Sequence, residues 1–179
     1  MSYYRRARIP GGTYFFTVVT YERIGYFEHP DNVTRLRDAF RFVLRSHPFR
    51  IDAAVILPDH MHMVWTLPKG DADYGTRWRL IKSRFSPLSP ATTETSFSRR
   101  RRSERPIWQR RFWEHAIKSE DDLHRHMDYI HFNPVKHHLV ERPSLWPFSS
   151  LQRAISAGVY PQNWGENGEP ASIQTMEIE

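Results

Sequence analysis

The stretch Val55 to Pro68, reading VILPDHMHMVWTLP, limits the fold more than any other part of the chain. Pro58 and Asp59 mark a turn with apolar residues on either side, so the stretch reads as a β-strand entered by that turn. Side chains alternate along a strand, which places His60 and His62 on one face and Met61 and Met63 on the other. Two imidazoles about two residues apart on one face can grip a single metal ion. Two such histidines can also cap the edge of a core through ordinary hydrogen bonds, and the pair alone does not choose between these readings.

A chain of 179 residues fits one domain that can bury a core without disulfides, and its hydrophobic share of 39% with 14% aromatics argues for a folded protein. There are no cysteines, which removes thiolate metal sites and cysteine nucleophiles and is compatible with a reducing cytoplasm. No apolar run approaches the ~20 residues of a membrane span, and the opening MSYYRRARIPGG lacks the core of a signal peptide. A soluble, cytoplasmic protein is expected, associated with the nucleoid when it binds DNA. The net charge of +6 is carried mainly by arginine, since only Lys69, Lys82, Lys118 and Lys136 are lysines. Arginine offers a planar fork suited to phosphate oxygens, and the aromatic side chains offer stacking surfaces for bases. Together they point to nucleic acid.

Residues 1–12 read as a basic arm that ends in the turn Pro10-Gly11-Gly12. A first strand begins near Thr13, and its run of aromatic and β-branched residues predicts burial on both faces. A helix over roughly Val33 to Ser46, capped by Asp31 or Asn32, follows. Next come a strand over Arg50–Leu57 that forms a hairpin with the histidine strand, and a helix over about Tyr74–Phe85. Residues 86–105, with Arg99-Arg100-Arg101-Arg102, read as a mobile arginine-rich loop. A strand from Phe112, a helix from Asp121 or Asp122 to about Asn133 and a short helix over Leu151–Ala157 complete the order, with a loose polar tail over 162–179. The elements predict a single α+β domain: a ferredoxin-like βαββαβ sandwich with an antiparallel sheet, plus an additional helix that carries a tyrosine.

That helix carries a polar stripe. Leu123, Met127 and Ile130 form its expected core face, and a turn of about 100° per residue gathers Asp122, His126, Tyr129 and Asn133 beside them. On its own the stripe could simply meet solvent. Set against the His60 and His62 face, it offers two imidazoles and an amide oxygen as half a shell around Mg2+ or Mn2+, with positions left for phosphate oxygens. Tyr129 would then lie beside the bound phosphate as a nucleophile, with His126 as a possible assisting group and His115 and His131 as competitors for that role.

LPDHMHMVW resembles the His-hydrophobic-His motif of HUH single-strand nucleases, and HMDYIHFNPVKHHLV resembles the tyrosine helix of single-tyrosine transposases. YYRRARIPGGTYFFTV, LPKGDADYGTRWRLIKSRF and IWQRRFWEHAI are similar to segments of the REP-associated tyrosine transposases, so the likeness runs from about Ser2 to Tyr160. The resemblance implies His60, His62 and Asn133 as metal ligands and Tyr129 as the nucleophile of a transesterification on single-stranded DNA. The products would be a 5′-phosphotyrosine link and a free 3′-OH. It implies a hairpin substrate of the repetitive extragenic palindromic type with a single-stranded foot. Tyr4, Arg5, Arg6 and Arg8 would help read the foot, and Arg77, Arg79, Lys82, Arg110 and Arg111 would line the DNA groove. A monomer is the resemblance's expectation, with a helix-swapped dimer as the alternative. Residues 86–105 depart from the family pattern in length and arginine content. Two other functions fit the same residues: a hairpin-binding protein without catalysis, and a zinc hydrolase built on His60, His62 and a third histidine.

Overall fold

The computed structural model describes residues 6–86 and 107–176. Its elements are β1 (Thr13–Val19), α1 (Pro30–Ser46), β2 (Arg50–Ile56), β3 (His60–Thr66), α2 (Tyr74–Phe85), β4 (Trp113–Ala116), α3 (Glu120–Lys136) and α4 (Leu151–Ser156), with single 3-10 turns at Tyr21–Arg23, Tyr26–Glu28 and Pro143–Leu145. The four strands form one sheet in the order β2-β3-β1-β4, with every neighbouring pair antiparallel. The expected alternation of strands and helices is the one observed.

Strand β1 is buried on both faces, as its apolar run requires, and it divides the interior in two. Tyr14, Phe16 and Val18 join Met61, Met63 and Trp65 in a core roofed by α1 and α2. Trp65 and Trp78 are both buried and stack at 4.3 Å, fixing α2 to the sheet. On the other face, Phe15, Val55 and Val64 pack against Tyr129 and Ile130 of α3. The alternation along β3 therefore sends the methionines to the α1/α2 core and the histidines toward α3. Register places Thr17 opposite His62 and Val19 opposite His60.

The helix ends differ from the sequence expectation. Helix α1 starts at Pro30, where a missing N–H costs nothing, and Asn32 donates from Nδ2 to the Tyr26 carbonyl at 2.7 Å instead of capping. Helix α3 starts at Glu120, with Ser119 Oγ accepting from the Asp122 N–H at 3.1 Å. It also runs through Pro134 to Lys136. Proline removes one backbone donor, and the chain leaves the helix through His137 N–H to Asn133 O at 3.0 Å and Leu139 N–H to Pro134 O at 2.9 Å.

Residues 162–176 are not a loose tail. Ile173 is 1% exposed, and Trp164 and Met176 pack on the α3 side of the sheet. Asp128 of α3 accepts hydrogen bonds from Tyr160 Oη at 2.7 Å and from Ser172 Oγ. This cover explains why the middle of α3, from Tyr129 to Pro134, is buried all round. Tyr4, Arg5 and nearly all of the arginine-rich 86–105 segment lie outside the described residues. No helix among the described residues is long and apolar enough to cross a membrane.

Candidate active site

The turn before β3 is fixed by three elements. Leu57 N–H donates to His60 O at 2.8 Å, Phe27 N–H to Pro58 O at 2.9 Å, and Thr20 Oγ1 to Asp59 O at 2.7 Å. This frame presents His60 and His62 to α3 with their rings 5.0 Å apart. The ring of Tyr129 lies 5.2 Å from that of His62, and the ring of His137 lies 5.0 Å from that of His60. Asn133 stands one helical turn from each of these two residues, so it falls between the two contacts. The structure thus brings together His60, His62 and Tyr129, with Asn133 one helical turn beyond Tyr129 on the same helix.

Each histidine is held through Nδ1. Asp59 Oδ1 accepts from His60 Nδ1, because a carboxylate only accepts, and in the neutral ring this leaves the lone pair on Nε2. Thr17 Oγ1 lies 2.9 Å from His62 Nδ1 and allows the same tautomer there. Burial pushes the His62 imidazole well below its ordinary range, so it is neutral at physiological pH. Burial alone would raise Asp59, but hydrogen bonds from His60 and Arg23 outweigh it and keep the carboxyl below its usual value. Arg23 reaches Asp59 at 3.0 Å.

Several buried polar atoms here lack a protein partner: His62 Nε2, Asn133 Oδ1 and Asn133 Nδ2. Buried polar groups are normally paired, and such orphans cost about 1–3 kcal/mol each. Two imidazole lone pairs and an amide oxygen are the donor set a divalent cation would satisfy. The residues present therefore fit a divalent cation.

Other expected residues lie elsewhere. His126 is engaged by Phe15 at 4.7 Å and by His115 at 4.8 Å, with its Nδ1 2.8 Å from the Asp122 carbonyl, so it belongs to a separate group. Within that group the ligand atoms of His115, Asp122 and His126 lie within 4.8 Å of one another and could hold a metal ion. His131 points away from the pair and meets Ser150 Oγ at 2.9 Å and the Tyr160 ring at 5.1 Å.

Arg77 departs from its expected place on a DNA groove. It is 3% exposed, and its guanidinium is spent on Asp71 Oδ2 at 2.6 Å and on the carbonyls of Asp73, Pro48 and His47. Arg79, Arg110 and Arg111 are exposed, as are Arg8 and Arg6, whose guanidinium stacks 4.2 Å over Phe112. Lys82 Nζ sits 5.6 Å from the Trp108 and Phe112 rings, and burial lowers it to about 8. A cleft of about 480 Å³ has Thr17, Arg23, Arg111, Phe112 and Trp113 among its walls. It adjoins the histidine pair through Thr17 and Arg23, which bond His62 and Asp59.

Sequence reasoning missed Thr17, Asp59, Lys136 and His137. His137 sits one turn past Asn133 on the same stripe, and ending the helix at Asn133 hid it. Lys136 places Nζ 5.2 Å from the Tyr129 ring centroid. Thr17 is recoverable only from strand register, because nothing in the sequence of β1 names its partner.

No protein-family model matches the chain. It is 44% identical over 164 residues to the REP-associated tyrosine transposase of Escherichia coli K12, covering 92% of this chain and 91% of that protein. It is 41% identical over 168 residues to a putative REP-associated tyrosine transposase of Haemophilus influenzae Rd, covering 93% and 95%. Among solved structures, it is similar to a REP-associated tyrosine transposase bound to a REP hairpin. There the TM-score is 0.78 at 41% identity, with 99% of this chain and 100% of that one covered. Identity at this level, sustained from end to end over a shared fold, places the chain in the family of REP-associated tyrosine transposases.

Proposed function

We propose that the protein is a metal-dependent endonuclease and strand transferase acting on single-stranded DNA hairpins of the REP type, through a 5′-phosphotyrosine intermediate. The observation that carries this reading is the meeting of Tyr129 with His62 at 5.2 Å beside the orphaned amide of Asn133. A phenol next to a neutral, ligand-ready imidazole is a nucleophile placed beside a phosphate site. A similar structure holds a REP hairpin, and the exposed arginines beside the site suit the same kind of ligand here.

His60, His62 and Asn133 would hold Mg2+ or Mn2+, which when bound polarises the phosphate and offsets the charge that grows on it. Asp59 and Thr17 orient the two imidazoles. Lys136 places positive charge against the Tyr129 ring. The Tyr129 phenol gives up its proton as its oxygen attacks phosphorus, the bond from phosphorus to the 3′ oxygen breaks, and that oxygen leaves as a 3′-OH by taking up one proton, so the protons balance. Attack by the same hydroxyl on the phosphotyrosine reverses the step, so rejoining needs no outside energy source. The foot of the hairpin would lie along the cleft walled by Arg111, Phe112 and Trp113, where a base can stack and a phosphate can be paired. Arg8, Arg79, Arg110 and Lys82 would contact the backbone, as would Tyr4, Arg5 and Arg6 of the arm. The protein would act as a monomer with its own tyrosine, in the cytoplasm at the nucleoid.

The test incubates a labelled single-stranded palindrome with the protein and Mn2+ or Mg2+. The wild type should yield a cleaved strand and a covalent adduct that maps to Tyr129. Tyr129→Phe should bind the hairpin equally well and yield neither. Cleavage by Tyr129→Phe at the wild-type rate, or hairpin binding by the wild type with no adduct, overturns the reading.

A further inference from the structure

We propose that His115, Asp122 and His126 form a second metal site, suited to zinc, that fastens the start of the tyrosine helix to the edge strand β4. The three side chains come from two elements: His115 from β4, and Asp122 and His126 from the first turns of α3. His115 Nε2 lies 2.9 Å from Asp122 Oδ2, and His126 Nδ1 lies 3.1 Å from Asp122 Oδ1. The two imidazoles are parallel to within 15° at 4.8 Å, and one ligand atom from each residue falls within 4.8 Å of the others.

Two donors held about 2.0–2.2 Å from a tetrahedral ion stand ~3.4 Å apart, so these side chains need only small rotations to enclose one. His126 would trade its 2.8 Å contact with the Asp122 carbonyl for coordination. The carboxylate is already fixed in place, because Asp122 Oδ2 accepts from the Lys118 N–H at 2.9 Å. Two imidazoles and one carboxylate are a donor set that zinc accepts in four-coordinate sites. With zinc bound, a water would complete the four-coordinate shell.

This group is distinct from the His60/His62 pair. The ring of Phe15 packs against both, 4.7 Å from His126 and 5.5 Å from His62. A filled site would pin α3 one turn before Tyr129, giving the metal a structural role in placing the nucleophile. The proposal does not rest on the DNA chemistry, and zinc retention is its readout.

The experiment uses the full chain with His60→Ala and His62→Ala, which removes the other pair. After dialysis against micromolar zinc, bound metal is measured by competition with a chromophoric chelator, and melting is followed with and without zinc. One equivalent of zinc should be retained, and zinc should raise the melting temperature. Adding His115→Gln should abolish both effects, and so should adding Asp122→Asn, which keeps the size of the helix-start side chain. Loss of all zinc in the His60→Ala/His62→Ala protein overturns the proposal, as does full retention after either further substitution. Should one further variant melt without cooperativity in the absence of zinc, the other decides.

Discussion

The rings of His62 and Tyr129 meet edge to face, 5.2 Å apart at 75°, although one sits on a central strand and the other on a late helix. Phe15 lies against both, at 5.5 Å from His62 and 6.0 Å from Tyr129, so the junction is part of the packed interior. The direction in which His62 presents Nε2 is set by a single bond, from Nδ1 to Thr17 Oγ1 at 2.9 Å. Thr17→Val keeps the shape and removes that bond. It should weaken Mn2+ binding by about 10–100-fold, the usual cost of losing a ligand's orienting partner. Titration calorimetry on the folded variant measures this, and unchanged affinity would show that packing alone orients the ring.

Asn133 is fully buried, with both amide atoms lacking a protein partner. Such a group costs stability in the metal-free protein, and replacing it with an apolar side chain of similar size relieves that cost. Asn133→Leu should therefore be at least as stable as the parent without metal, gaining up to about 1–3 kcal/mol. Mn2+ should raise the melting temperature of the parent and not of the variant. A variant markedly less stable than its parent in chelator would mean that the amide is satisfied within the fold.

The periodicities of strand and helix made the centre of the site legible. Alternation along β3 assigned His60 and His62 to one face, and the helical repeat aligned Tyr129 with Asn133. What escaped depends on tertiary context. Pro134 looked like a stop, yet a proline in the last turn removes one donor that the packing of α3 readily outweighs. Arg77 looked like a surface charge, although it lies four residues before Ile81 and eight before Phe85, on the buried face of α2. Its burial became possible only because Asp71 and three backbone carbonyls surround the guanidinium. The polar composition of residues 162–176 concealed Ile173 and Trp164, which are too far apart to show a helical or strand period.

His131 gives the fold a pH dependence. It is fully buried, and burial lowers its imidazole to about 3, against an unfolded value near ~6.5. Between those values the unfolded chain takes up a proton that the folded chain refuses, so stability falls as pH drops below ~6.5 and is unaffected above it. The slope contributed by one such group approaches 1.4 kcal/mol per pH unit, about the full value for one proton. His131→Gln keeps a side chain able to hydrogen-bond Ser150 and does not titrate. Urea unfolding at a series of pH values should show a shallower acid limb for the variant, and parallel limbs would count against this assignment.

Ile173 tests whether the C-terminal segment belongs to the core. The side chain is 1% exposed and packs with Phe15, Val55 and Ile130 on the α3 side of the sheet. The same segment is tied to α3 by Ser172 Oγ on Asp128 and by Arg125 Nε to the Ser172 carbonyl at 3.2 Å. Ile173→Ala removes buried methyl and methylene groups and leaves a cavity that the surrounding strands cannot easily close. It should cost about 2–5 kcal/mol in denaturant unfolding. Glu169→Ala, at an exposed position in the same segment, should stay within about 0.5 kcal/mol of the parent. Equal, small effects at both positions would mean that the segment contributes nothing to stability. Because Asp128 immediately precedes Tyr129, a loosened segment should also slow adduct formation with no loss of hairpin binding.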